Sequence, residues 1–163
     1  MAEYDINQGI ESSLMVARNA IKYDANVEMD LGDVPVIQGN GGQINQVILN
    51  ICVNAAQAIK GQQREDPGTI ILKTFGAGDY VVCTIQDNGP GIAPEHLSKV
   101  FDPFYTTKPV GLGTGLGLSV SHDIIVNKHK GQLLVDTEIG KGTTFTLKLP
   151  LQHSSAAVEP AIL

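Results

Sequence analysis

Apolar residues recur along the chain with two different periods, and the changes between them mark out the elements. Ile6, Ile10, Leu14, Ala17 and Ile21 return every three or four positions, which predicts a helix over 6–22. Val27 to Leu31 alternates and Val34 to Ile37 is short and apolar. With Gly32-Asp33 between them, the two runs predict a β-hairpin. The clearest helix covers 43–60, where Ile44, Val47, Ile48, Ile51, Cys52, Ala55, Ala58 and Ile59 form one stripe. Asn40 suits its N-cap and Gly61 its end. Thr69–Phe75 and Tyr80–Gln86 are β-rich and split by Gly76-Ala77-Gly78-Asp79, a second hairpin. A short helix near Pro94–Lys99, a glycine-rich segment to about Gly115 and a helix from Gly117 to about Lys128 follow. Strands Gln132–Thr137 and Thr143–Leu149, joined by a Glu138–Gly142 turn, complete the pattern.

This order predicts an α+β fold: a two-layer sandwich whose mixed, mostly antiparallel sheet is covered on one face by about three helices. Residues 1–150 read as one domain, and 151–163, without periodicity, as a flexible tail or linker. Met1-Ala2-Glu3 reads as a bare start before the first helix, with no signal peptide.

Composition narrows the function classes. In 163 residues, 42% are apolar and 17% charged, a globular balance with no apolar run long enough to span a bilayer. A net charge of −6 argues against nucleic acid as a partner, yet leaves room for a local phosphate site. Cys52 and Cys83 lie inside apolar segments and read as buried thiols in a reducing cytoplasm.

Three stretches carry candidate chemistry. Gln46, Asn50, Asn54 and Gln57 share one helix face beside the apolar stripe. Such carboxamides form either a solvated polar face or a pair of neutral oxygen donors for a hard cation such as magnesium. Asp87-Asn88-Gly89-Pro90-Gly91 ends a buried-looking strand, where a carboxylate is costly unless it meets a donor. It reads either as an ordinary turn or as a place where backbone lies against a flat ligand. Gly111, Gly113, Gly115 and Gly117 then put four glycines just before a helix, at a cost of roughly 0.5–1 kcal/mol each relative to alanine. The stretch reads either as a flexible loop or as free N–H groups and a helix N-terminus suited to phosphate, although neither the mononucleotide P-loop nor the dinucleotide fingerprint fits.

The asparagine helix, the Asp-x-Gly-x-Gly, FDPFYTTK (101–108), GLGTGLGLS (111–119) and the Gly-Lys-Gly-Thr at 140–143, in that order, resemble the ATP-binding domain of sensor histidine kinases. That group lies within the GHKL ATPase superfamily, with its Bergerat ATP-binding fold. The resemblance covers about residues 5–150 and is nearest in style to the nitrogen-regulator type.

It implies ATP and Mg2+ as cofactors. Asn54 would be the principal magnesium ligand and Asn50 its helper, and these two with Lys108 would form the catalytic set. Asp87 would accept from the adenine amino group, Gly89 and Gly91 would lie against the base, and Thr143 would support Asp87 and a bridging water. Residues from about Lys99 to Gly115 would form an ATP lid hinged or anchored by Phe101 and Phe104. Lys108 would reach the phosphates, and Gly113, Thr114, Gly115, Leu116 and Gly117 would cradle them.

Two departures stand out. Gln57 occupies a position where many relatives carry a cation, and none of His96, His122, His129 and His153 precedes the asparagine helix. His122 reads as structural or surface. The resemblance therefore implies an excised, cytoplasmic, monomeric catalytic domain without membrane contact. It would serve a histidine on a dimerisation domain of the same parent, and through it a response-regulator receiver domain. Hydrolases of the superfamily place a glutamate where Asn50 stands, and a carboxamide cannot act as base for water. This favours a kinase over an ATPase. The alternatives are a nucleotide-binding sensor or scaffold module without transferase activity, or a GHKL ATPase.

Overall fold

The computed structural model describes residues 1–103 and 117–151. Asp5 opens the first helix: its carboxylate accepts from the N–H groups of Asn7 and Gln8. Helix α1 (Ile6–Ile21) then buries Ile6, Ile10, Ala17 and Ile21, the period read from the sequence. Before it lies β1 (Ala2–Tyr4). After it come β2 (Ala25–Leu31), β3 (Ile37–Gly39), α2 (Gly41–Gly61), β4 (Gly68–Ala77), β5 (Tyr80–Asp87) and the short α3 (Pro94–Leu97). Helix α4 (Gly117–His122) continues as a π-helical segment over Asp123–Lys128, and β6 (Gln132–Glu138) and β7 (Gly142–Pro150) close the order.

Five strands form one sheet in the order β2-β4-β5-β7-β6. β2 and β4 run parallel, and the other neighbours antiparallel. A parallel pair needs a crossover, and α2 supplies it. Helix α1 packs on α2, α2 lies over β4 and β5, and the π segment lies over β6 and β7. The core is Ile44, Ile48, Ile51 and Ile59 of α2 against Ile70, Leu72, Ile85 and Leu147 of the sheet. The opposite sheet face, with Phe75 and Leu134, stays exposed. The fold is therefore the expected α+β two-layer sandwich.

The first expected hairpin does not form. β2 pairs with β4, and β3 pairs with β1 in a separate two-stranded sheet. Gly32 does not turn; its N–H donates to both the carbonyl and the hydroxyl of Thr74, so the chain keeps following β4. A Cβ on Gly32 would sit 2.6 Å from that carbonyl, which accounts for a glycine at a close approach rather than at a turn. The residues before α1, for which no element was expected, form a strand: Ala2 and Glu3 pair with Gly39 and Gln38. The Tyr4 hydroxyl donates to Asn45 Oδ1 at 2.6 Å and pins this small sheet to α2. The second hairpin forms as expected, with Ala77 paired to Tyr80 around Gly78-Asp79 and Gly78 at φ +61°. Cys52 and Cys83 are buried and free, and burial pushes the Cys52 thiol up to about 12.

Candidate functional site

Helix α2 starts at Asn40, whose side chain accepts from the Gln43 N–H at 3.0 Å. Its buried stripe is the expected one with a single exchange: Ala56 is inside and Ala58 is exposed. That exchange matters, because Asn50, Asn54 and Ala58 then follow one another at four-residue steps along one face. Asn50 Nδ2 lies 4.0 Å from where a Cβ on Gly117 would be, at the end of the glycine run. The Ala58 Cβ lies 3.8 Å from the corresponding point on Gly89. The half-buried carboxamides of Asn50 and Asn54 thus occupy a line of roughly 12 Å, eight residues of helix, from the glycine segment to the Asp87 loop. Gln46 and Gln57 share the helix but are exposed.

Asp87 ends β5 and is 8% exposed. Its Oδ1 accepts from the Gly89 N–H at 2.8 Å, and the Thr143 N–H also bonds to it. Burial raises its pKa above the ordinary carboxylate range, and the two backbone donors only partly offset this. Gly91 has φ +81°, and a Cβ there would stand 2.5 Å from the Glu138 carbonyl. A glycine is needed at 91 for both reasons. The Pro90 carbonyl accepts from the Gly140 N–H at 2.8 Å, so the β6–β7 turn clasps the loop after Asp87.

The sheet register brings Asp87 opposite Thr143, and Thr143 opposite Thr137, in one row across β5, β7 and β6. Thr137 was not anticipated from the sequence. Its hydroxyl takes the Ile92 N–H at 2.9 Å, contacts the Gly142 carbonyl at 3.0 Å and lies 3.0 Å from Thr143 Oγ1. The signal was present in the predicted final hairpin, whose pairing sets one threonine directly against another.

Phe101 is half-buried, with its ring centroid 4.9 Å from that of His122 and 6.5 Å from that of Phe145. It therefore anchors the chain against α4 where the expected lid begins, and His122 has the structural contact expected of it. Phe104, Lys108, Gly113, Thr114, Gly115 and Leu116 lie outside the described residues. The structure thus brings together Asn50, Asn54, Asp87, Gly89, Gly91, Thr143 and Gly117, with Phe101 flanking them.

Among the described residues there is no group of three or more His, Cys, Asp or Glu side chains able to hold a metal. Two carboxamide oxygens fit a magnesium ion that keeps waters and phosphate oxygens as its other ligands; they do not make an all-protein cage. A separate concavity of about 410 Å³ opens at the far ends of α1 and α2. Lys22, Lys60 and Arg64 line it together with Asp24, Glu65 and Asp66, so its charges are balanced in number and leave little net attraction for a triphosphate.

A sheet that presents a buried carboxylate and a loop of closely fitted glycines beside an asparagine-bearing helix defines a nucleotide-binding α/β sandwich. Comparison with known proteins specifies it further. Residues 39–153 match the family described as histidine kinase-, DNA gyrase B-, and HSP90-like ATPase, and the chain belongs to that family. It is 40% identical over 149 residues to the sensor histidine kinase ZraS of Escherichia coli (strain K12), covering 90% of this chain and 30% of ZraS. It is 36% identical over 157 residues to the sensor kinase CckA of Brucella abortus (strain 2308), covering 90% of this chain and 16% of CckA. The chain therefore spans less than a third of these relatives. Among solved structures, the catalytic domain of histidine kinase ThkA superposes with a TM-score of 0.79 at 25% identity, covering 93% of this chain and 97% of that one. The chain thus corresponds to the part of sensor histidine kinases that this family model describes.

Proposed function

We propose that the chain binds Mg-ATP along the Asn50–Asn54–Ala58 face and presents the γ-phosphoryl group to a histidine on a dimerisation domain of the same parent protein. A response-regulator receiver domain would then take the phosphoryl group from that histidine. The observation that carries this reading is the continuity of the face, from Gly117 at one end to Gly89 and Asp87 at the other. A nucleotide laid along it puts its base over Asp87 and its phosphates near the asparagines and the glycine segment.

In this reading Asp87 accepts from the adenine amino group, and Gly89 and Gly91 admit the base. Thr143 steadies Asp87, while Asn54 with Asn50 would hold magnesium. The ion would neutralise phosphate charge, and positioning would supply much of the acceleration. Phe101 anchors the lid at 99–115, and Lys108 with Gly113, Thr114, Gly115, Leu116 and Gly117 serves the phosphates. Residues 1–150 form the catalytic unit and 151–163 a tail or linker. Asn50 stands where a hydrolase needs a base, so attack by water is not assisted from that position.

The test is transfer in trans. The chain, a separately prepared histidine-bearing helical domain and labelled ATP should give labelled helical domain in a magnesium-dependent way. Tight ATP binding without transfer would favour the sensor or scaffold reading. Rapid phosphate release by the chain alone, surviving Asn50→Ala, would favour an ATPase.

A further inference from the structure

The row Asp87–Thr143–Thr137 holds a hydrogen-bond chain with a fixed direction. A threonine hydroxyl has one proton to donate and two lone pairs to accept with. The Thr137 proton goes to the Gly142 carbonyl at 3.0 Å, and one lone pair takes the Ile92 N–H at 2.9 Å. What remains toward Thr143 Oγ1, 3.0 Å away, is a lone pair. The donor in that contact is therefore Thr143. With its own proton committed to Thr137, the Thr143 hydroxyl has only lone pairs left for Asp87 and the space above it. Thr143 is 6% exposed, in register with Asp87, so its hydroxyl and the carboxylate line one floor.

We propose that Thr137 is a specificity-determining positioning residue: by fixing which way the Thr143 hydroxyl points, it makes the floor of the base pocket accept hydrogen bonds only. The proposal rests on the reading of Asp87 as the group that meets the base. An acceptor-only floor suits a purine carrying an amino group at C6, met directly or through a water that donates downward. A purine with a carbonyl at C6 brings a further acceptor to that floor and is refused. Thr137 touches no part of the base and acts through Thr143. Without the Thr137 hydroxyl, the Thr143 proton is released and can turn toward a C6 carbonyl.

The experiment is calorimetric titration of the chain with ATP and with GTP, with far-UV circular dichroism as the check on folding. Thr137→Val should reduce the ATP-over-GTP preference roughly tenfold, the scale of one hydrogen bond. Thr137→Ser, which keeps the hydroxyl, should restore it. Thr143→Val should lower the preference by itself, and adding Thr137→Val to it should change the ratio no further. Should Thr137→Val not fold, Thr137→Ala takes its place in each comparison. Equal weakening of ATP and GTP by Thr137→Val, or an undiminished change of ratio in the Thr143→Val background, would overturn the proposal. Asp87→Asn separates the two levels. If it leaves ATP affinity unchanged, the reading of the base pocket fails. If it weakens ATP while Thr137→Val leaves the ratio intact, only the role of Thr137 fails.

Discussion

Asp87 is a carboxylate held where water barely reaches it, and the consequence can be given a sign. Its pKa is raised, first by desolvation, against which the Gly89 and Thr143 N–H groups work. A raised value in the fold means that burial disfavours the ionised form relative to the unfolded chain. The stabilisation from this group is full below the unfolded value, about 4, and is lost as pH rises through the folded value. At neutral pH the ionised group therefore strains the empty domain, and a donor from the ligand offsets that strain. Asp87→Asn should leave the free domain at least as stable at pH 7 and remove this group's loss of stability as pH rises from about 4. It should also weaken ATP binding by roughly 1–3 kcal/mol. Urea unfolding across that pH range, with calorimetry for ATP, checks both. A destabilised variant with unchanged ATP affinity would contradict the argument. Asp87 was legible in the sequence because a charge at the end of an apolar strand followed by spaced glycines is anomalous. Thr137 was legible only indirectly, since a threonine in a strand is ordinary until the register of the final hairpin is followed to Thr143.

Elements were legible where local signals agreed and misread where a distant strand decided. The α2 stripe, its Asn40 cap and the Gly78-Asp79 hairpin were local, and they formed as expected. The pairing of β2 was not local: a Gly-Asp step looked like a turn, yet Gly32 is held by Thr74, 42 residues away. β1 has three residues and no period to read; its place is set by pairing with β3 and by Tyr4 on Asn45.

A second long-range tie joins the two sides of the site. His129 is fully buried, donates through Nδ1 to the Ile124 carbonyl at 2.8 Å and accepts at Nε2 from the Asn40 N–H at 3.0 Å. It thereby fastens the π-helical segment that follows α4 to the start of the asparagine helix. His129→Leu would leave a donor and an acceptor without their partner and should cost about 2 kcal/mol in urea unfolding. A loss well under about 1 kcal/mol would show that the tie is not needed.

At the scale of the molecule, the sandwich explains why residues so far apart in sequence can serve one ligand. One face of α2 runs beside its own core stripe, and the ends of β5, β6 and β7 supply the floor next to it. The order of motifs made this architecture legible, whereas the identity of neighbours across the sheet waited for the register. No helix among the described residues is long and apolar enough to cross a membrane. The central claim is that the α2 carboxamides, the Asp87 loop and the glycine segment make a single Mg-ATP site. Amide chemical shifts of the isotopically labelled chain, followed during titration with a non-hydrolysable ATP analogue and magnesium, test it most directly. The account predicts saturable changes at residues 50–58, 87–92, 117 and 143 that move together with one affinity. Changes gathered instead around Lys22, Lys60 and Arg64, or no changes at all, would contradict it.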